Sequence, residues 1–201
     1  MVAANKLQWM RQRLFDFATP NDEWWAYVHQ HNLDLKAVLP ECGIFAVALC
    51  RAIETADGQY VFAFDPGGIP CAVIEGQLIG NVEGVLDYIT KDLIAWPLGA
   101  PDHFATAMGP GDGIALLGAA AAFREPSVKT PIKLCRNPES WLLNGCKGSV
   151  VLKPEAAQWL NVSKVPLICE DGEHAQQIRE LLGSVGRLRK ILIPNSERIA
   201  A

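Results

Sequence analysis

Apolar residues recur at intervals of three and four at the start of the chain. Leu7, Met10, Leu14 and Phe17 form one stripe, with Lys6, Arg11, Gln12 and Arg13 elsewhere on the surface, a spacing that predicts an amphipathic helix. Thr19 then reads as an N-cap, followed by Pro20 at the first helical position and Asp22 where negative charge favours a helix N-terminus. The second helix so begun carries Trp24, Trp25 and Val28 and fades near His31. Its two tryptophans are read as core anchors.

From Gly43 the texture changes. "GIFAVALCRAIET", "QYVFAF" and "PCAVIE" are rich in β-branched and aromatic residues and are separated by the turn signals "ADG" and "DPGG". An antiparallel three-stranded meander is expected, with Asp57-Gly58 closing the first hairpin. Its strands are apolar at nearly every position, so both faces should be covered, one of them by the first helices. Further on, "NVEGVLDYIT" reads as a helix, "DLIAWPL" as a short strand, and "PDHFATAMG" and "GIALLGAAAAF" as helices. The stretch "EPSVKTP", Glu125 to Pro131, has two prolines and no apolar period, and is the best linker candidate.

Beyond the linker, strand and helix alternate. "PIKLC" precedes "NPESWLLNG", "GSVVLK" precedes "PEAAQWLNV", "VPLICE" precedes "DGEHAQQIRELLG", and "RLRKILIP" closes the series. Two of these units echo each other: Pro138-Glu139 and Pro154-Glu155 suit a first helical turn, and Trp141-Leu142 and Trp159-Leu160 are expected to face the sheet. Crossovers of this length join parallel strands. The fold class is therefore mixed α/β: N-terminal helices packed on a three-stranded antiparallel meander, then a small parallel βαβαβ sheet. The expected division is an α+β lobe over residues 1–126 and a parallel α/β lobe over 127–201, with one continuous domain as the alternative.

Composition narrows the function classes. Apolar residues make up 50% and charged residues 20% of 201, as in a folded globular protein rather than a disordered one. A net charge of −4 gives no electrostatic reason for tight binding to nucleic acid or to an anionic membrane. The start "MVAANKLQWM" has no basic region followed by an apolar run, and "GIFAVALC" is far too short to span a bilayer, so a soluble, cytoplasmic protein is expected. Cys50, Cys71, Cys135 and Cys169 lie in apolar strand-like runs and are expected to be free, buried thiols. With no C-x-x-C pair, neither a zinc site nor a disulfide framework is expected.

The densest polar cluster is "EDGEHA". Asp171 is suited to cap the helix carrying Ala175, Ile178 and Leu182, Glu173 suits its first turn, and Gly183 suits its end. Glu170 has no such structural assignment. It falls at the carboxyl end of a parallel strand, where open α/β sheets bind ligands, so Glu170, Asp171 and His174 are the catalytic candidates. This stretch and "VIEG" at Glu75 resemble the acidic site of topoisomerase-primase domains over a few residues. Such domains also need an Asp-x-Asp pair after a later strand, and the sequence contains none.

The loop "GPGDG" makes Gly109, Gly111 and Gly113 candidates for binding a phosphate-bearing cofactor through backbone N–H groups, against the competing reading of a link between helices. It matches neither a dinucleotide fingerprint nor a Walker loop, and no particular cofactor is specified. Asp65 and Glu75 read as features of a turn and a strand. His29 and His31 are two residues apart, so on a helix they point in different directions and do not share a metal ion.

Three function classes follow. The leading expectation is a non-enzymatic protein-interaction or accessory module, motivated by six tryptophans, the acidic balance and the lack of a catalytic constellation. Its partner would be another protein or a second copy of the chain. The alternative is a small-molecule, nucleotide or metal-dependent enzyme with its site at the carboxyl ends of the C-terminal strands. The third is a nucleic-acid-associated protein using Arg179, Arg187, Arg189 and Lys190.

Overall fold

The computed structural model describes residues 6–12, 22–33, 45–54, 60–64, 69–82, 85–108, 112–119, 131–162, 165–183 and 191–192. Helix α1 covers 6–12, and α2 runs from Asp22 to Gln30. An antiparallel sheet follows, built from β1 (Phe45–Glu54), β2 (Tyr60–Phe64), β3 (Ile69–Val82), β4 (Val85–Pro97) and β5 (Ala105–Thr106) in the order β2-β1-β3-β4-β5. The expected three antiparallel strands are present, with β1 between the other two and β3 on its free edge. Edge strands β2 and β5 approach within 8 Å, so the sheet curls toward closure. Asp57-Gly58, the "DPGG" turn, Thr19 and Pro20 lie outside the described residues.

Residues 85–90, expected within a helix, instead form the first half of β4. Their apolar positions, Val85, Leu86 and Ile89, have helical spacing, but the long strand β3 lies next to them in the chain and pairs through Leu78↔Ile89 and Ile79↔Tyr88. Tertiary pairing overrides an ambiguous local pattern here. The stretch 101–108 forms turns and the short β5, not the expected helix. In 113–119 the chain forms β6 (Leu116–Leu117), flanked by Gly113 and Gly118 at φ +74° and +73°, a conformation that cannot continue a right-handed helix.

The second sheet has the order β10-β9-β7-β8-β6. Strands β7 (Ile132–Cys135), β8 (Ser149–Val151), β9 (Leu167–Ile168) and β10 (Ile191–Leu192) run parallel, and β6 pairs antiparallel with β8. The crossovers are α3 (Pro138–Leu143), α4 (Ala156–Val162) and α5 (Gly172–Gly183). This is the parallel arrangement the strand-helix alternation predicts. β6 precedes the expected boundary at 126–127 yet belongs to the second sheet. Of the linker candidate, the described part is Pro131.

Both faces of the β3–β4 hairpin are buried. Cys71, Val73, Leu93, Ala95, Ala105 and Ala107 pack against Met10 of α1, with Leu7 beside it. On the other face, Ala72, Ile74, Ile94 and Trp96 share a cluster with Tyr27 and Val28 of α2 and with Trp141, Leu142 and Val150 of the second sheet and its first helix. Helices α4 and α5 cover the second sheet's far face, where Ala156, Ala157, Leu160, Ala175, Ile178 and Leu182 form a separate cluster. The two lobes are thus packed through α3 and α2, with α4 and α5 outermost.

The tryptophans divide. Trp141 is 4% exposed and donates its indole N–H to the Gly148 carbonyl at 3.0 Å, as its expected core role requires. Trp159 is 58% exposed, contrary to the expectation that it faces the sheet. Trp25, expected in the core, is 46% exposed, and Tyr27 takes the buried position on α2. The thiols of Cys71, Cys135 and Cys169 are free and buried, as expected; Cys146 is disulfide-bonded, which the sequence reading, expecting no disulfide framework, did not anticipate. Among the described residues, no helix is long and apolar enough to cross a membrane.

Candidate functional site

The strand order sets the location. From β7 the chain crosses to β8 on one side, then to β9 on the other, so the direction of winding reverses between β7 and β9. Their clusters confirm it: α3 packs on one face and α4 with α5 on the other. In open α/β sheets the crevice at the carboxyl ends of two such strands is the usual ligand position. Here its rim is Arg136-Asn137 after β7 and Cys169-Glu170-Asp171 after β9. Sequence reasoning placed Glu170 at the carboxyl end of a parallel strand, with Asp171 and His174 beside it; the strand order makes that end the topological switch point.

Arg136, Asn137 and Asp171 at that rim each have a structural partner. Asp171 accepts from the His174 backbone N–H at 2.8 Å, capping α5, and one Arg136 guanidinium nitrogen reaches both its carboxylate oxygens at 2.8 and 2.6 Å. The His174 N–H bond and then Arg136 hold the Asp171 carboxyl below its ordinary pKa. Arg136 also lies 3.6 Å from Glu173. His174 is buried, and that burial lowers its pKa against the opposing pull of the Glu170 carboxylate; its Nδ1 accepts from the Glu170 N–H at 3.4 Å. Cys135 lies beside Glu170, and burial followed by that carboxylate pushes its thiol up to about 12. Burial pushes Cys169 up to about 11. Neither thiol is a thiolate at neutral pH, so neither is an activated nucleophile.

The first lobe contributes to the same rim. Asp102, in the turn after β4, accepts from the Asn137 side-chain amide at 2.6 Å. Asn137 in turn caps α3, accepting from the Ser140 N–H at 2.8 Å while Ser140 Oγ accepts from the Asn137 N–H. Polar side chains from both lobes thus converge there, and sequence reasoning missed Asp102, Arg136 and Asn137. Only their position after a predicted parallel strand was available as a signal. Among the described residues, no group of three His, Cys, Asp or Glu side chains is placed to hold a metal ion.

Two buried carboxylates lie deeper, on opposite faces of the β3–β4 hairpin. Glu75 receives Arg11 of α1 at 2.6 Å, with Thr90 and Gln77 also donating to it. Asp92 is 0% exposed; its Oδ1 accepts from the Leu93 and Met108 N–H groups, both at 2.9 Å, and its Oδ2 from Ile114 at 3.3 Å. Lys153, after β8, stands 3.5 Å from Oδ2 and donates to the carbonyls of Asp112 at 2.6 Å and Met108 at 2.9 Å. Burial pushes Asp92 up to about 6, opposed by the Met108 N–H and Lys153. A charged residue within the apolar run "DLIAWPL" was the available signal for Asp92.

Gly113 lies over Asp92. A side chain on Gly113 would meet Asp92 Oδ2 at 2.1 Å, so the chain passes directly above the carboxylate. Of the phosphate-cradle candidates, Gly113 occupies this position, and Gly109 and Gly111 lie outside the described residues. The basic candidates are split as well. Arg179 is exposed on α5 next to Glu180, and Arg187, Arg189 and Lys190 lie outside the described residues. His29 is exposed, His31 stacks at 4.5 Å on Tyr27, and Asp65 lies outside the described residues.

The chain is thus a mixed α/β protein in which a curled antiparallel sheet packs on a doubly wound parallel one. No family model matches it, and neither a curated protein nor a solved structure does.

Proposed function

We propose that the protein is an interaction or accessory module that docks a protein partner through aromatic rings displayed on its helices. The observation that carries this is the exposure of Trp159 on α4, an ordered helix whose other face is anchored by Ala156, Ala157 and Leu160. Large aromatic rings are enriched where one protein anchors on another, because they supply contact area at small conformational cost. Trp25 on α2 and Leu143 on α3 are exposed as well. Against a catalytic reading, Asp171 is already engaged in the α5 cap and in an ion pair with Arg136.

Site-specific photo-crosslinking in the native cell tests this. A photoreactive side chain at position 159 or 25 should give discrete adducts, and one at exposed Gln177 should not. An adduct of twice the chain mass identifies a second copy as the partner. Equal, diffuse labelling at all three positions would exclude the docking role.

A second reading, a small-molecule or metal-dependent site at the same switch point, is favoured by the convergence of Asp102, Arg136, Asn137 and Asp171 from two lobes. It predicts a thermal shift with a divalent metal or nucleotide that is reduced in Glu170→Gln. Thermal stability indifferent to every such ligand removes it.

A further inference from the structure

Cys146 stands apart from the other described cysteines. Cys71, Cys135 and Cys169 are free thiols sealed in the core, whereas Cys146 is disulfide-bonded. The sequence holds six cysteines, so its partner is one of the two that remain, Cys42 or Cys50. Cys50 lies on β1 of the first sheet; Cys42, outside the described residues, precedes Phe45, where β1 begins. Cys146 occupies the turn from α3 to β8 in the second lobe and shares a buried cluster with Tyr27, Ile74 and Trp96 of the first. Either pairing therefore ties the second lobe covalently to the first.

The backbone of this turn is unusual for a cysteine. Helix α3 ends in two successive left-handed positions, Gly145 at φ +67° and Cys146 at φ +58°. Glycine enters that region freely, whereas a residue with a side chain is strained there. Among the described residues other than glycine, Asn32 alone shares this conformation, and asparagine tolerates it. The Cys146 N–H donates to the Trp141 carbonyl at 3.0 Å and the Asn144 amide to the Lys147 carbonyl at 2.6 Å, so hydrogen bonds hold the strained turn in place. Solvent reaches it: Lys147 is exposed, and a side chain on Gly145 would meet nothing within 4 Å.

We propose that the Cys146 bridge is a redox-operated lock between the two lobes, closed when oxidised and released by a dithiol reductant. One thiolate of the dithiol attacks a bridge sulfur and forms a mixed disulfide. The second thiol displaces the cysteine, so both cysteines end as protonated thiols and the dithiol leaves as a cyclic disulfide. Two features favour a lock over a stabilising framework. Disulfide-dense scaffolds are small domains that lack a sufficient core, while this chain of 201 residues buries extensive clusters and keeps three of its four described cysteines reduced. Burial also keeps the Cys135 and Cys169 thiols protonated, so they do not compete for the bridge. After release the lobes are left with their packing and with polar contacts such as Tyr27 to Glu139 and Asn137 to Asp102.

Peptide mass spectrometry of the full-length natural chain, with free thiols blocked by N-ethylmaleimide in denaturant, should find Cys146 joined to Cys42 or Cys50. Dithiothreitol added to the folded chain should open that bridge while Cys71, Cys135 and Cys169 stay unreactive to N-ethylmaleimide. The thermal midpoint should fall by about 5–10 °C, and oxidised glutathione should restore it. Cys146→Ser should melt with the reduced natural chain and ignore both reagents. A Cys146 blocked without prior reduction, or joined to a second copy or to Cys71, Cys135 or Cys169, overturns the lock. A bridge that yields to dithiothreitol only in denaturant is a fixed staple and overturns it equally. Where Cys146→Ser does not fold, the natural chain decides, and a midpoint unmoved by dithiothreitol overturns the lock.

Discussion

The two Pro-Glu-Trp-Leu units are close in sequence and opposite in fate. In the first, Pro138 is the opening residue of α3, Asn137 caps it, and Trp141, three residues beyond the proline, is buried between the lobes. In the second, Pro154 and Glu155 form a separate tight turn, with Ala156 and Ala157 donating to Lys153 and Pro154, and α4 begins at Ala156. Trp159 lies five residues beyond its proline but, like Trp141, three beyond the first residue of its helix, so the two rings occupy the same helical position, and the leucine after each is fully buried. The ring that faces the interior in one unit faces solvent in the other. A repeated motif specifies that a helix forms; what packs against that helix decides which side chains become core, and α3 lies between the two sheets whereas α4 covers the second sheet's far face.

The sharpest test of this contrast is truncation of the two rings. Trp141→Ala should cost about 3–5 kcal/mol in chemical denaturation, from a cavity at the lobe interface and the lost Gly148 bond. Trp159→Ala should change stability by at most about 0.5 kcal/mol, and a loss comparable to that of Trp141 would mean that the second ring is covered like the first. Between these extremes, Asn137→Ala should cost about 1 kcal/mol by removing the α3 cap, with a further loss from stranding Asp102. The smallest effect is expected at Ser149, on the strand linking the two units. Its buried hydroxyl has no hydrogen-bond partner, so Ser149→Ala should leave the denaturation midpoint unchanged or raise it slightly.

The legible parts of the molecule are those whose information is local. Strands β7 to β10 and their crossover helices could be read from alternating texture, and Asp171 and Pro138 from their capping positions. Two kinds of feature escaped. Stretches such as Val85–Ile89 and Leu116–Leu117 are apolar enough for either period, and the partner strand or a left-handed glycine decides between them. The lobe-joining polar contacts escaped because their members are far apart in the chain: Asp92 with Lys153, Asp102 with Asn137, and Tyr27, whose hydroxyl donates to Glu139 at 2.8 Å. That Glu170 and Asp171 follow a parallel strand was readable from the sequence; that this strand borders the switch point was not. Arg136, which engages Asp171 and Glu173 together, was not.

Strand β6 has a consequence for how the chain behaves as a unit. It precedes the expected boundary at 126–127 yet completes the sheet that follows it, covering the edge that β8 would otherwise present. A polypeptide severed at 126–127 would yield one piece carrying an orphaned strand and another with a bare, self-adhesive border. Such pieces should be poorly behaved apart and should reconstitute when mixed, the property exploited in fragment-complementation reporters.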